Sequence, residues 1–211
     1  MIANPAVSTT TGWPVGFWWS ELTHPYYVFG EAGYSASDLI SHGFIHMPAL
    51  RRLVDETRPV TAIDVDAFDA IVVAGGQAPM FTFEQATALH TTFAAFYEAG
   101  KVASALCHGA AVLAYSKDSA GEYIAKGKTV TGFANVEEAF ADHAVWDYGM
   151  VPRGTHVMPW RIEDRLKAIG ANYVQGGLWR GFAVRDGNLV TGQQNFSGAE
   201  TAHLIIEALG R

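Results

Sequence analysis

The sequence predicts an α/β domain with a doubly wound, mostly parallel sheet, helices on both faces and a late β-hairpin. Three observations support this. Short apolar runs alternate with segments of helical periodicity, the order that sets parallel strands between covering helices. Glycines punctuate the junctions, as Gly75-Gly76 and Gly100 do. Asp186-Gly187 separates two strand-like runs, a hairpin signal. With 211 residues, 49% of them hydrophobic, the chain can bury a sizeable core and suits one domain over residues 1–211.

The elements follow in order. Met1-Ile2-Ala3-Asn4, stopped by Pro5, is short for an opening strand. Glu21 falls at the start of a helix in the aromatic stretch Gly16 to Pro25. Asp69 to Ala74 is a strand closed by Gly75-Gly76, and a helix runs from about Phe83 to Ala99, ended by Gly100. Lys101 to Leu106 is the next strand, and a small-residue helix follows at once. Ser116 to Lys128 is polar and reads as a surface excursion. Phe140 to Pro159 reads as a loop, rich in aromatic and Met side chains: a lid or a covering loop. Trp160 to Ile169 is an amphipathic helix, and Phe182 to Val190 is the hairpin. Ser197-Gly198-Ala199-Glu200 has the spacing of a capping box, opening a last helix to Leu209.

Net charge is −7, with no block of Lys or Arg, which argues against nucleic acid and anionic membrane as partners. One cysteine excludes an internal disulfide. No secretory signal is evident at Met1 to Thr11, and no apolar run approaches the ~20 residues of a membrane span. The expectation is a soluble cytoplasmic protein.

The lone cysteine, Cys107, stands at the junction of the Lys101–Leu106 strand with its helix, followed by His108-Gly109. A strand-to-helix elbow pushes its side chain out at the carboxyl end of a sheet, beside free helix N–H groups that favour thiolate. A nucleophile is expected there, against the plainer alternative of an inert core thiol. Three segments could join it, since ligands of parallel sheets bind outside the carboxyl ends of strands. Gly75-Gly76-Gln77 offers backbone N–H groups that, with the His108 amide, could form an oxyanion hole; the plain reading is a tight turn. Glu21 sits in an apolar setting that would raise its pKa and suit proton transfer, or else is a first-turn carboxylate on a helix dipole. Glu137 or Glu138 could orient the His108 imidazole, or be solvated helix charges. Among the histidines only His42 and His46 are four apart, without an acidic ligand nearby, so no metal site is expected.

These residues resemble the ThiJ/PfpI superfamily, relatives of class I glutamine amidotransferases, and within it the branch of glutathione-independent glyoxalases and holding chaperones. The resemblance rests on Trp19-Ser20-Glu21-Leu22 with His24-Pro25, Glu31 to Tyr34, Asp69 to Gly76, Ala105 to Gly109, Lys128 to Phe133 and Asp186 to Gln193. It implies a flavodoxin-like sandwich, commonly dimeric, without cofactor. It implies Cys107 as nucleophile, His108 as its neighbour in a triad, Glu21 on the thiol, and Glu138 as the matching acidic third member. An amidotransferase would need a late His-x-Glu, which is absent. The chain departs from the branch at Gln77-Ala78, where His-Gly is usual, and at Asn195-Phe196, where Asn-Pro is usual.

The expected activity is cofactor-free conversion of a small reactive carbonyl, methylglyoxal to lactate or a related deglycation. Trp18, Trp19 and Gln77 would shape the pocket, and Gly76 and the His108 amide would hold the oxyanion. The alternatives are a redox-sensing stress protein or holding chaperone without catalysis, and a different Cys-dependent hydrolase or hydratase using the same site.

Overall fold

The computed structural model describes residues 1–3, 6–18, 21, 43–44 and 46–210. In chain order, a two-stranded antiparallel ribbon comes first, β1 (Ala6–Val7) with β2 (Pro14–Val15). Helix α1 (Pro48–Asp55), which the sequence reading passed over, buries no side chain. Next come β3 (Ala70–Val73), the short helix α2 (Pro79–Thr82), α3 (Thr87–Glu98) and β4 (Val102–Leu106). Then follow β5 (Thr129–Val130), α4 (Asn135–Asp147), α5 (Ile162–Ala168) and β6 (Asn172–Tyr173). The hairpin β7 (Ala183–Asp186) and β8 (Leu189–Gly192) precedes the last helix, α6 (Gly198–Ala208).

The main sheet has the order β3-β4-β8-β7. Its first three strands are mutually parallel and only β7 runs against them, as the hairpin requires. Side chains alternate between its faces. Ile71, Val73, Ala103 and Ala105 enter the larger core with Leu89 and Phe93 of α3. Val102 and Val190 pack on the opposite face against Ile205 of α6. Covering on both faces explains why β4 is buried at every position and reads as a continuous apolar run. At the amino end Met1 lies beside β3, where its amino group donates to the Val72 carbonyl and its carbonyl accepts from Ala74 N–H at 2.9 Å, and Ala3 is buried in the larger core. Among the described residues no helix is long and apolar enough to cross a membrane.

Register places the site. Val73 pairs with Ala105, Ala105 with Thr191, and Leu106 with Gly192. The carboxyl ends of β3, β4 and β8 therefore finish at one edge. The segments beginning at Ala74, Cys107 and Gln193 leave from it together.

Several sequence expectations need correction. The helix expected from Phe83 starts at Thr87, because Ala86 (ψ 56°) leaves the helical region after a 3₁₀ turn at Phe83–Gln85. The helix after Cys107 is a 3₁₀ helix, Cys107–Ala114. The excursion at Ser116 to Lys128 is not wholly at the surface: Ser116, Ile124 and Ala125 are buried. Phe140 to Pro159 is not all loop, since α4 runs to Asp147. Its inward face carries Glu137, Glu138 and Asp142, while Val136 and Phe140 are exposed. Inward carboxylates invert the usual apolar periodicity, so no helical stripe shows in the sequence. The expected capping box at Ser197 does not form. Ser197 is already helical, and its Oγ accepts from the N–H groups of Phe182 (3.2 Å) and Gln194 (3.1 Å) instead.

Candidate active site

Cys107 follows β4 directly and has φ +54°, the left-handed region that a non-glycine side chain occupies at a cost of about 1–3 kcal/mol. The elbow is held by close packing. A Cβ at Gly109 would lie 2.4 Å from the Val73 carbonyl, so only glycine lets the turn sit this close to β3. Cys107 is 4% exposed, and the backbone N–H groups of His108 and Gly76 act on its sulfur in the direction that favours thiolate.

Glu21 reaches the thiol from the opposite side. Its N–H donates to the Trp18 carbonyl, and Trp18 N–H donates in turn to Gly75 O at 3.3 Å. Glu21 Oε2 accepts from Gly75 N–H at 2.5 Å, in a fit so close that a Cβ at Gly75 would also lie 2.5 Å from that oxygen. Oε1 has no nitrogen or oxygen partner among the described residues. The carboxyl therefore shares its proton chemistry with the thiol. Burial raises Glu21 from 4.5 to about 8, against the smaller opposing effects of the Cys107 and Gly75 contacts. Burial, then the charge of Glu21, pushes the Cys107 thiol well up. Two acids that cannot both ionise cheaply in one dry site titrate as a coupled pair, each held toward its protonated form by burial.

On the other flank, His108 Nδ1 lies 3.5 Å from Cys107 Sγ, and its Nε2 lies 3.0 Å from Glu138 Oε1. The contact of Nε2 with Glu138 fixes the ring so that its other nitrogen, Nδ1, faces the thiol. Phe133 stacks on the imidazole at 4.2 Å and 23°. Of the two adjacent acids at the start of α4, it is Glu138 that meets His108. Glu137 is engaged elsewhere: Oε2 accepts from Ala134 N–H, and Oε1 from Gln193 Nε2–H and Trp179 N–H. Its own pKa is raised, mainly by burial.

The structure thus brings together Cys107, His108, Glu21, Glu138 and Gly76. Gly75 stands behind them, with its N–H committed to Glu21. Trp18, Gln77 and Phe133 line a cavity of about 600 Å³ that opens over the sulfur. Trp19 lies outside the described residues, as do His24-Pro25, Glu31 to Tyr34 and His42. Sequence reasoning missed Trp179, Ala141 and the stacking role of Phe133 on this wall. The glycine pair Gly176-Gly177 before Leu178-Trp179 was the available signal, a turn presenting an aromatic side chain. Among the described residues no group of three or more His, Cys, Asp or Glu side chains converges to hold a metal ion.

Comparison with known proteins follows the same line. A sequence profile described as the DJ-1/PfpI family matches residues 16–208. The chain belongs to this family. A relative from Schizosaccharomyces pombe, named probable glutathione-independent glyoxalase hsp3103, is 31% identical over 162 residues, which take in 75% of this chain and 59% of that protein. This chain thus matches about six tenths of that relative's length. The X-ray structure of the Francisella tularensis Rapid Encystment Protein 24 KDa superposes with TM-score 0.85 at 26% identity, covering 99% of this chain and 96% of that one. The crystal structure of glyoxalase III from Candida albicans gives TM-score 0.71 at 24% identity, over 98% and 93% of the two chains, and so shares the fold.

Proposed function

We propose that this chain is a cofactor-free, cysteine-dependent enzyme that converts 2-oxoaldehydes to 2-hydroxy acids, methylglyoxal to lactate being the simplest case. The observation that carries this reading is the buried Cys107 thiol on its strained elbow, with the carboxyl of buried Glu21 beside it and His108 Nδ1 at 3.5 Å. Relatives of about 30% identity named probable glutathione-independent glyoxalases support the same class of reaction.

The geometry suggests the steps. Sulfur attacks the aldehyde carbon while its proton passes by way of His108 Nδ1 to the aldehyde oxygen, forming the S–C and O–H bonds of a hemithioacetal and leaving the ionised form of Glu21 free to act as the next base. The His108 and Gly76 N–H groups, whose effect on the sulfur favours negative charge, would stabilise the developing oxyanion. Glu21 removes the remaining hydrogen from that carbon as a proton, and the electron pair forms an enediol. Return of a proton to the neighbouring carbon gives a thioester. One carbon is thereby oxidised and its neighbour reduced, which is why no external redox partner is required. Water cleaves the thioester, releasing the hydroxy acid and restoring the thiol. Glu138 holds the imidazole with its Nδ1 toward the sulfur.

Purified protein given methylglyoxal without glutathione should form lactate, and Cys107→Ser should abolish it. Absence of lactate from a wild-type protein whose thiol alkylates normally would rule out this substrate class.

A further inference from the structure

Gln77 and Phe196, two positions at which the sequence departs from the pattern it resembles, both line the cavity over Cys107. That cavity, about 600 Å³, falls in the range of ~300–1,000 Å³ that buries drug-sized ligands. A three-carbon 2-oxoaldehyde would leave most of it unfilled.

Its wall is aromatic. Beyond Phe133 on the His108 ring, Trp179 meets Phe133 edge-on, with centroids 5.9 Å apart at 65°. Phe140 braces the far side of Trp179 at 5.7 Å and 86°. Trp18 and Phe196, each about half exposed, face the same space. No Lys or Arg stands among the described lining residues, so no permanent positive side-chain charge described there pairs with a carboxylate or phosphate.

Trp179 is also held in place. Its φ is +53°, a strained value for a tryptophan. Its N–H donates to buried Glu137, and Gln193 binds Gly176 N–H and the Gly177 carbonyl just before it. Two buried polar side chains therefore fix this aromatic ring against the cavity.

We propose that the preferred substrates carry an uncharged aromatic ring as the second substituent of the 2-oxoaldehyde. The ring packs on Trp179 and Phe196 while the aldehyde carbon faces the Cys107 sulfur. This deepens the proposed function and rests on Cys107 being the nucleophile toward such carbonyls. A phenyl group removes more apolar surface from water here than a methyl can, and edge-to-face contact with Trp179 adds to it.

Two α-bromoketones test the subsite without requiring turnover. 2-Bromoacetophenone and bromoacetone share a leaving group and differ in phenyl against methyl. Sulfur displaces bromide from each, forming an S–C bond as the thiol proton goes to Glu21 or water. The ratio of the two alkylation rates at Cys107, divided by the same ratio for N-acetylcysteine, reports the pocket rather than the reagent. It should be on the order of tenfold or more in favour of phenyl, since single added groups in apolar pockets already reach that size. Trp179→Ala and Phe196→Ala should each bring it toward unity; Phe196 is half exposed, so its removal leaves the core closed. A wild-type ratio near unity, or a high ratio unchanged in both variants, overturns the proposal. Turnover of phenylglyoxal to mandelate is measured beside methylglyoxal to lactate. A high alkylation ratio with neither acid formed retains the aryl subsite and rejects the reaction. Lactate formed with a ratio near unity retains the reaction and rejects the subsite.

Discussion

Replacing Glu21 by Gln keeps the shape of the side chain and its acceptor for Gly75 N–H, and removes only the titration. Burial holds the carboxyl at about 8 in the folded protein, against an ordinary 4.5. At ~1.4 kcal/mol per pH unit, that rise represents a stability difference on the order of 5 kcal/mol, an upper figure because the thiol titrates with it. The sign follows from proton uptake. Between 4.5 and about 8 the folded state keeps the proton and the unfolded chain releases it. Wild type should therefore be most favoured at and below pH 4.5 and lose stability relative to E21Q as pH rises to about 8, with little change above. Urea unfolding of both proteins across this window gives the difference directly. The expected slope is about 1.4 kcal/mol per pH unit in its middle, E21Q being the more stable at pH 8. Parallel stability curves would show that Glu21 is ionised in the folded protein, and would refute its coupled titration with the thiol.

The remaining predictions concern single contacts. Glu138→Gln should loosen the hold on the His108 ring and lower lactate formation on the order of 10- to 100-fold, with Cys107 alkylation by iodoacetamide retained. Gly75→Ala places a methyl 2.5 Å from Glu21 Oε2 and should destabilise by about 1–3 kcal/mol in urea unfolding. Glu137→Ala strands the Ala134 and Trp179 N–H groups, costing about 1–3 kcal/mol and raising KM more than it lowers kcat. Asp142→Ala unties the loop after α4, where Asp142 accepts from Val157 N–H (2.8 Å) and pairs with His156 (2.7 Å). The same melts should show about 1–3 kcal/mol lost there, with Cys107 alkylation unchanged.

Local signals made part of this molecule legible in its sequence. The apolar runs of β3 and β4, the Asp-Gly hairpin and the Cys107 elbow each show within a few residues. What was hidden depends on partners distant in sequence. Helix α4 was half missed because three of its inward residues are carboxylates, each satisfied by a group from another segment: His108, Gln193 and Val157. The choice between Glu137 and Glu138 could not be made from spacing, since neighbouring helical residues differ only in which partner the tertiary fold supplies. Ser197 has the spacing of a cap but spends its hydroxyl on Phe182 and Gln194, a contact visible only once β8 lies beside β4. Trp18 is legible as a pocket residue, whereas Phe133, Trp179 and Phe196 reach the same wall from segments far apart in sequence.

The common edge at which β3, β4 and β8 end also dictates timing. Parallel neighbours are joined by long crossovers, and β8 emerges from synthesis near the end of the chain. A nascent chain presenting Cys107 has neither Gln193 to anchor Trp179 nor Phe196 to face the cavity. Until β8 docks, the thiol is an ordinary cysteine. Its burial and its partners are a property of the finished sheet rather than of the growing chain.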